Sequence, residues 1–230
     1  RPPPRSPEPL KIGGSSTVAQ VITAAAPVLQ EKMGIELKLL TDAGPTVAFA
    51  ALGQDELEVA LSTRSITAEE RAAFPQKQFH EFVIGWQALV PVVSADVWNA
   101  GVHAISRDQF IRIYEGAATN WKGFGGPAQE IKFYRPSEGR GVWELFALWL
   151  YSDLRRAPLG QQFEEVVTNE DARNAVEFNL GSLSIVSPQW VDGKAVYGLA
   201  IQEKKGVIQP TMANIREGRW PLARALFLVT

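Results

Sequence analysis

Short β-type runs alternate with helical patterns along most of the chain, and this alternation constrains the fold more than any other feature. Runs of this length, separated by helical patterns, are typical of an α/β fold with mostly parallel strands. The predicted strands are Leu10–Ile12, Ile35–Leu40, Val59–Ser62, Phe82–Val93, Ile131–Tyr134, Leu183–Val186, Val196–Ile201 and Leu226–Val229.

The segments between these strands carry helix signals of two kinds. Capping boxes, in which a hydroxyl residue precedes Glu or Gln by three positions, are formed by Thr67 with Glu70 and by Ser106 with Gln109. Apolar stripes with a period of 3.6 residues mark the longer helices. One stripe is Val18, Val21, Ile22, Ala25 and Leu29, and the other is Trp143, Phe146, Ala147 and Leu150.

Four strand-to-helix junctions are rich in small or hydroxyl residues: "GGSSTV" (13–18), "DAGPTV" (42–47), "LSTRSIT" (61–67) and "RPSEGRGV" (135–142). In open α/β sheets, ligands bind beyond the carboxyl ends of the strands, where helices begin. A helix start offers unpaired N–H groups and a partial positive charge, which suits an oxyanion. The same residue types also form plain capping turns, so at this point both interpretations stay open.

Composition excludes several function classes. The 230 residues carry a net charge of -2, so no basic excess indicates nucleic acid or an anionic membrane. No cysteine is present, which excludes disulfides and thiol catalysis. His80 and His103 have no metal-ligand spacing, and no catalytic motif is found.

The proline-rich start, residues 1–9, predicts a stiff leader or linker.

Four segments in consistent order resemble the periplasmic phosphate-binding proteins of ABC transporters. They are "IGGSSTVAQVITAAAPVLQEKMGIELKL", "EVALSTRSITAEE", "ISRDQFIRIYEGAATNWKGFGGP" and "VIQPTMANIREGRWPLARALFLVT". The resemblance implies an α/β, two-lobed type 2 periplasmic binding protein fold, in which each lobe is a doubly wound α/β sheet and the ligand lies between the lobes. Lobe 1 is expected at 10–84 and 190–230, and lobe 2 at 85–189.

The resemblance also implies ligand residues at the first three junctions. Ser16, Thr17 and Val18 match the first junction, which contributes a hydroxyl group and adjacent N–H groups. The second is expected to contribute Ala43 and Gly44, although Pro45 there removes one N–H donor. Thr63 stands at the third, where it can both donate and accept a hydrogen bond.

The fourth junction departs most from the family pattern. Pro136 stands where the family has Arg, Arg140 where it has Ser, and Val142 where it has Thr. Either Arg140, with Gly141 and Val142 at the helix start, replaces the lost groups, or the pocket no longer binds phosphate. Two further arginines have alternative roles: Arg64 and Arg135 contact the ligand or form ion pairs, with Glu138 a candidate partner for Arg135.

Together these features predict an extracytoplasmic binding protein and not an enzyme. It would capture phosphate or a related oxyanion in an interlobe cleft and deliver it to the permease of an ABC transporter. We expect a monomer, periplasmic or at the cell surface, tethered through its proline-rich start, with no cofactor, no metal and no nucleic-acid partner. The alternative is a non-transport sensor or interaction module that keeps the fold with a degenerate anion site.

Overall fold

The computed structural model describes residues 8–41, 44–137, 141–158 and 163–230. The described strands are β1 (Leu10–Gly14), β2 (Leu37–Thr41), β3 (Val59–Ser62), β4 (Glu81–Ala88), β5 (Val90–Val93), β6 (Ala104–Ser106), β7 (Lys132–Pro136), β8 (Glu164–Val166), β9 (Ser182–Val186), β10 (Tyr197–Gly198), β11 (Ala200–Glu203), β12 (Gly206–Ile208) and β13 (Ala223–Val229).

The α-helices described alongside these strands are α1 (Ser16–Met33), α2 (Pro45–Gly53), α3 (Ala68–Ala72), α4 (Ala95–Asn99), α5 (Arg107–Tyr114), α6 (Gly141–Tyr151), α7 (Asn169–Phe178) and α8 (Met212–Arg216). Both predicted capping boxes are present, at the starts of α3 and α5. Within the described ranges, no helix combines the length and the apolar character needed to cross a membrane.

The chain divides into two units. Unit 1 contains the chain up to Trp86 together with Arg224–Thr230, and unit 2 is Gln87–Ala223. Residues 190–223 therefore lie in unit 2, whereas the family resemblance placed them in lobe 1. The reason is strand pairing, since β10 pairs with β5 and β11 pairs with β6. The chain thus returns to unit 1 only as β13 begins.

Unit 1 contains a five-stranded sheet of order β2-β1-β3-β13-β4. Here β1 runs parallel to both β2 and β3, and β13 is antiparallel to β3. Consecutive residues of β3 point to opposite faces of the sheet. Ala60 packs with Phe49 of α2, and Leu61 packs with Val18 of α1. The two helices therefore cover opposite faces, as a doubly wound arrangement requires.

Unit 2 contains a five-stranded sheet of order β10-β5-β9-β7-β8 and a three-stranded sheet of order β12-β11-β6. Strand β7 is parallel to β8 and β9, and β5 is antiparallel to β9. Every residue of β9 is buried, which indicates a strand covered on both faces. Mixed pairing in both units corrects the expectation of mostly parallel strands.

Buried tryptophans anchor the core of unit 2, as their aromatic bulk predicts. Trp121 and Trp220 are fully buried, and each indole N–H donates to a backbone carbonyl oxygen at 2.8 Å. The apolar stripe of α6 is buried in the same unit, with Phe146 and Leu150 at 0% exposure. The helix pattern read from the sequence therefore identified a true core face.

Candidate functional site

The first three predicted junctions lie at one edge of the unit 1 sheet. Strand β1 is central between two parallel neighbours, with Gly13 opposite Thr41 and Gly14 opposite Leu61. Parallel strands end at the same edge, so the starts of α1 and α2 and the turn after β3 are neighbours there. The structure thus brings Ser16, Thr17, Val18, Gly44 and Thr63 to one edge, while Ala43 lies outside the described residues.

Gly14 allows the first and third junctions to approach each other closely. Its φ is +134°, and a Cβ atom there would lie 2.2 Å from the carbonyl oxygen of Leu61. The amide of Ser15 donates to that same carbonyl at 2.8 Å, and the amide of Gly44 donates to the carbonyl of Gly14 at 3.3 Å. The backbone of the three junctions is therefore tied together without help from side chains.

Helices α1 and α2 both begin at this edge without a side-chain cap. Ser15 and Gly44 occupy the capping positions, and neither makes a capping hydrogen bond. The first turn of each helix also lacks an acidic residue. By contrast, α3, α5 and α7 each begin with a capping box and carry acidic residues in the first turn. The positive ends of α1 and α2 are thus not compensated from within their own helices.

The first turn of α1 exposes the groups that an anion needs. Ser16 is exposed, Thr17 is half-buried, and Val18 is fully buried with its side chain in the core. Their backbone N–H groups belong to the turn that has no intrahelical acceptor. In α2 the first residue is Pro45, which has no N–H, so the donors of that helix start one residue later.

Arg64 is engaged by its own unit. Its guanidinium donates to both carboxylate oxygens of Glu70, at 2.7 and 2.8 Å, and to the hydroxyl of Thr46 at 2.9 Å. The hydrogen bonds from Arg64 hold the pKa of Glu70 below its usual value, and the same contact raises the pKa of Arg64. Of the two roles considered for Arg64, the structure shows the ion pair.

Arg135 is also an ion-pair residue, in unit 2. It is only 3% exposed on β7, and it pairs with Glu165 on the neighbouring strand β8. It therefore does not lie at a solvent-exposed rim. Glu138, the partner considered from the sequence, lies outside the described residues, as does Arg140. Gly141 and Val142 form the start of α6, as expected for the fourth junction.

Several residues at the carboxyl edge of the unit 2 sheet were not predicted from the sequence. A cavity of about 300 Å³ lies there, and its lining includes Ser137, Thr168, Asn169 and Trp190. Thr168 and Asp171 form a third capping box, and Asn169 begins α7. The signal was available, because "TNED" has the spacing of a capping box directly after the short apolar run "VV".

Metal chemistry has no support in the part of the chain that is described. No cluster of three or more His, Asp or Glu residues there could hold a metal ion. His103 instead packs beside Trp98, with ring centroids 4.3 Å apart. His80 lies at the surface next to the end of β13, where its backbone exchanges two hydrogen bonds with Thr230.

The chain contains two α/β units, and in one of them several helices begin at the same edge of the sheet. This arrangement defines the class of the chain as an α/β binding-protein fold. Comparison with known proteins agrees. A solved structure, an ABC-type phosphate transport receptor from Vibrio cholerae, superposes with a TM-score of 0.75 at 23% identity, covering 96% of this chain and 86% of that one. A possible phosphate-binding protein from Planctomyces limnophilus gives a TM-score of 0.81 at 20% identity, covering 96% and 80%.

The family model of the PBP superfamily domain matches residues 2–230, so the chain belongs to the PBP superfamily. In sequence, the phosphate-binding protein PstS of Staphylococcus haemolyticus is 26% identical, over 94% of this chain and 68% of that protein. The predicted fold class and the family resemblance are thereby confirmed.

Proposed function

We propose that this chain is an extracytoplasmic solute-binding protein that captures an inorganic oxyanion, phosphate first, and passes it to the permease of an ABC transporter. The proposal is supported by relatives and structural neighbours that are named as phosphate-binding proteins and phosphate transport receptors. In this role the chain binds its ligand without changing it, as a monomer that is periplasmic or at the cell surface, with residues 1–9 as a tether.

One observation carries the proposal. The two helices that begin beside β1, α1 and α2, are uncapped and have no acidic residue in the first turn, whereas α3, which follows the third junction in the same unit, and α5 and α7 in unit 2 begin with capping boxes. An uncapped helix start costs stability unless water or a ligand satisfies its N–H groups. Two such starts at one sheet edge suit a tetrahedral oxyanion, which has an acceptor for each donor.

Individual residues have distinct roles in this proposal. The N–H groups of Thr17 and Val18 and the hydroxyl groups of Ser16 and Thr17 donate to the anion. Gly44 lets the chain approach it closely at the second junction. Thr63 both donates and accepts, so this site discriminates less between protonated and ionised oxyanions than a carboxylate would.

The fourth junction belongs to the proposal as well. Arg140 supplies a positive charge there, and Gly141 and Val142 supply N–H groups at the start of α6. A charge-assisted hydrogen bond from Arg140 would contribute about 1.5–3 kcal/mol to binding. Binding in a cleft between two lobes stays a prediction of the sequence analysis.

Calorimetric titration of the intact chain with phosphate, sulfate and molybdate tests the proposal. We expect saturable binding of at least phosphate, and weaker binding in Arg140→Ala by about tenfold or more. Failure of all three anions to bind would refute the proposed function. If Arg140→Ala binds phosphate as tightly as wild type, the fourth junction is not part of the site and the other three junctions remain.

A further inference from the structure

The turn after β3 is closed by the side chain of Ser62. Ser62 is fully buried, and its hydroxyl group donates to the carbonyl oxygen of Arg64 at 2.5 Å. The same hydroxyl oxygen accepts a hydrogen bond from the backbone amide of Arg64 at 3.1 Å. Thr63 lies between these two residues, so its backbone is held on both sides. The conformation of the third junction is therefore fixed through the backbone of Arg64.

The side chain of Arg64 extends from this turn to the first turn of α2. One of its guanidinium nitrogens donates to the hydroxyl oxygen of Thr46, the second residue of α2, at 2.9 Å. The guanidinium carbon lies 5.2 Å from the centroid of the Phe49 ring, and Phe49 is 1% exposed in the core of unit 1. Thr46 and Phe49 are three residues apart, so they share one face of the helix. Arg64 therefore contacts α2 at two points near its start.

Helix α2 does not fix its own start with a side-chain cap. Its capping residue is Gly44, which has no side chain, and its first residue is Pro45, which has no N–H group. The hydrogen bond from Arg64 to Thr46 is thus a side-chain anchor that reaches the start of α2 from the third junction. It adds a side-chain link to the backbone bonds that join the junctions.

The terminal nitrogens of the Arg64 guanidinium have no donor left for a ligand. Each carries two N–H bonds and donates to two acceptors. One nitrogen donates to Glu70 and to the carbonyl oxygen of Ser65, at 2.8 and 3.0 Å. The other donates to Glu70 and to Thr46, at 2.7 and 2.9 Å. The bidentate contact with Glu70 also fixes the plane of the guanidinium and balances its charge. The contribution of Arg64 to the anion site is therefore geometric.

We propose that Arg64 is a positioning residue of the anion site. Its backbone holds Thr63, and its guanidinium holds the first turn of α2 through Thr46, without contact with the anion. The inference rests on the proposed function, because it takes Thr63 and the start of α2 to belong to the site. A set of donors binds an anion tightly only when neighbouring side chains keep the donors in place, so a shift of the α2 start lowers the affinity.

Phosphate titration of Arg64→Lys separates position from charge. Lysine keeps the positive charge and can pair with Glu70, but its single ammonium group lacks the planar fork that reaches Glu70 and Thr46 together. We expect Arg64→Lys to bind phosphate at least about fivefold more weakly than wild type. Affinity equal to that of wild type would show that a positive charge is sufficient at this position, and the inference would be wrong.

A double-mutant cycle tests whether Arg64 acts through Thr46. Thr46→Val keeps the branched side chain and removes the oxygen that accepts from Arg64, so it should also weaken phosphate binding by about fivefold. If both residues act through this one contact, the variant with both changes binds about as weakly as the weaker single variant. Independent effects would multiply to about 25-fold, and they would overturn the proposed route through Thr46.

Arg71 offers a matched control within unit 1. It pairs with Glu81, and its side chain is 41% exposed, against 38% for Arg64. Its partners, Glu81 and the carbonyl oxygen of Phe79, belong neither to α1 or α2 nor to the turn that contains Thr63. We expect Arg71→Lys to have a urea midpoint similar to that of Arg64→Lys, but to bind phosphate within about twofold of wild type.

The outcomes separate this inference from the proposed function. Phosphate binding that is weakened in Arg64→Lys and kept in Arg71→Lys supports the inference. Equal loss of affinity in both variants would show a general loosening of unit 1, which would overturn the inference and leave phosphate capture intact. Wild type that binds none of phosphate, sulfate and molybdate would refute the proposed function and the inference together.

Discussion

The backbone amide of Ser15 donates a hydrogen bond to the carbonyl oxygen of Leu61 at 2.8 Å, which ties the end of β1 to the end of β3. Gly14 makes this contact possible, because any side chain at that position would collide with the same carbonyl. The close approach places the start of α1 beside the turn that contains Thr63. The geometry of the proposed anion site therefore depends on a glycine that is not among the proposed ligand residues.

Gly14→Ala should lower the free energy of unfolding by more than the strain of a positive φ alone would. Gly34 is a suitable comparison, because its φ is also positive, at 67°, but a Cβ atom there meets nothing within 4 Å. We expect Gly34→Ala to cost about 1 kcal/mol and Gly14→Ala at least about 2 kcal/mol. Urea unfolding of both variants measures the difference. Equal losses would show that the contact with Leu61 relaxes without cost.

The contrast between capped and uncapped helices predicts different effects for two serine-to-alanine changes. Ser106 accepts a hydrogen bond from the amide of Gln109 at 3.1 Å at the start of α5. Ser106→Ala should lower the free energy of unfolding by about 1 kcal/mol. Ser15→Ala should cost less than about 0.5 kcal/mol, because Ser15 makes no capping bond. Thermal and urea unfolding would contradict this account if Ser15→Ala proved the more damaging change.

The Arg64–Glu70 pair predicts a pH-dependent contribution to stability. The folded state lowers the pKa of Glu70, so the contribution is present above the ordinary pKa of a glutamate and is lost as the pH falls through the lowered value. Glu70→Gln keeps the capping box, because Gln also serves at that position, but removes the charge. At pH 7 we expect a loss of about 1 kcal/mol, since both side chains are partly exposed.

This loss should shrink as the pH falls below the ordinary pKa of a glutamate, about 4.3, because Glu70 of the wild type loses its charge as the pH approaches its lowered pKa. Urea unfolding of wild type and Glu70→Gln from pH 7 to pH 3 measures it. Glu31→Gln, at an exposed position of α1, serves as the control and should follow wild type throughout. A difference between wild type and Glu70→Gln that stays constant across this range would exclude the charge as its cause.

Much of the fold could be predicted because its signals are local. The capping boxes at Thr67 and Ser106 and the apolar stripe of α6 are properties of short segments, and the structure contains all of them. Strands β6, β8 and β12 were missed because each has only three residues, too few to show a period. The unit boundary was misplaced because it depends on the pairing of β10 and β11 with distant strands, which no local pattern reveals.

In the candidate site, too, local features could be predicted from the sequence and features that depend on the fold could not. The sequence indicated that the junctions precede helices but left open whether they meet, and the first three lie at one edge because strands β1, β2 and β3 are parallel neighbours. The cavity in unit 2 was not predicted, because Ile185, Asn169 and Trp190 come from separate segments that only the fold assembles. The burial of Arg135 and its pairing with Glu165 depend in the same way on the register of β7 with β8.

The most direct test of the central claim is phosphate titration of Ser16→Asp. Ser16 is the exposed first residue of α1, where a carboxylate suits the helix dipole but repels an oxyanion held by the same N–H groups. Met212→Asp is the control, because Met212 is the first residue of α8, is 55% exposed, and follows the capping Thr211. We predict that wild type and Met212→Asp bind phosphate alike, whereas Ser16→Asp binds at least about tenfold more weakly, since like charges brought together cost several kcal/mol. Equal affinities in all three proteins would contradict the claim that the uncapped start of α1 holds the anion.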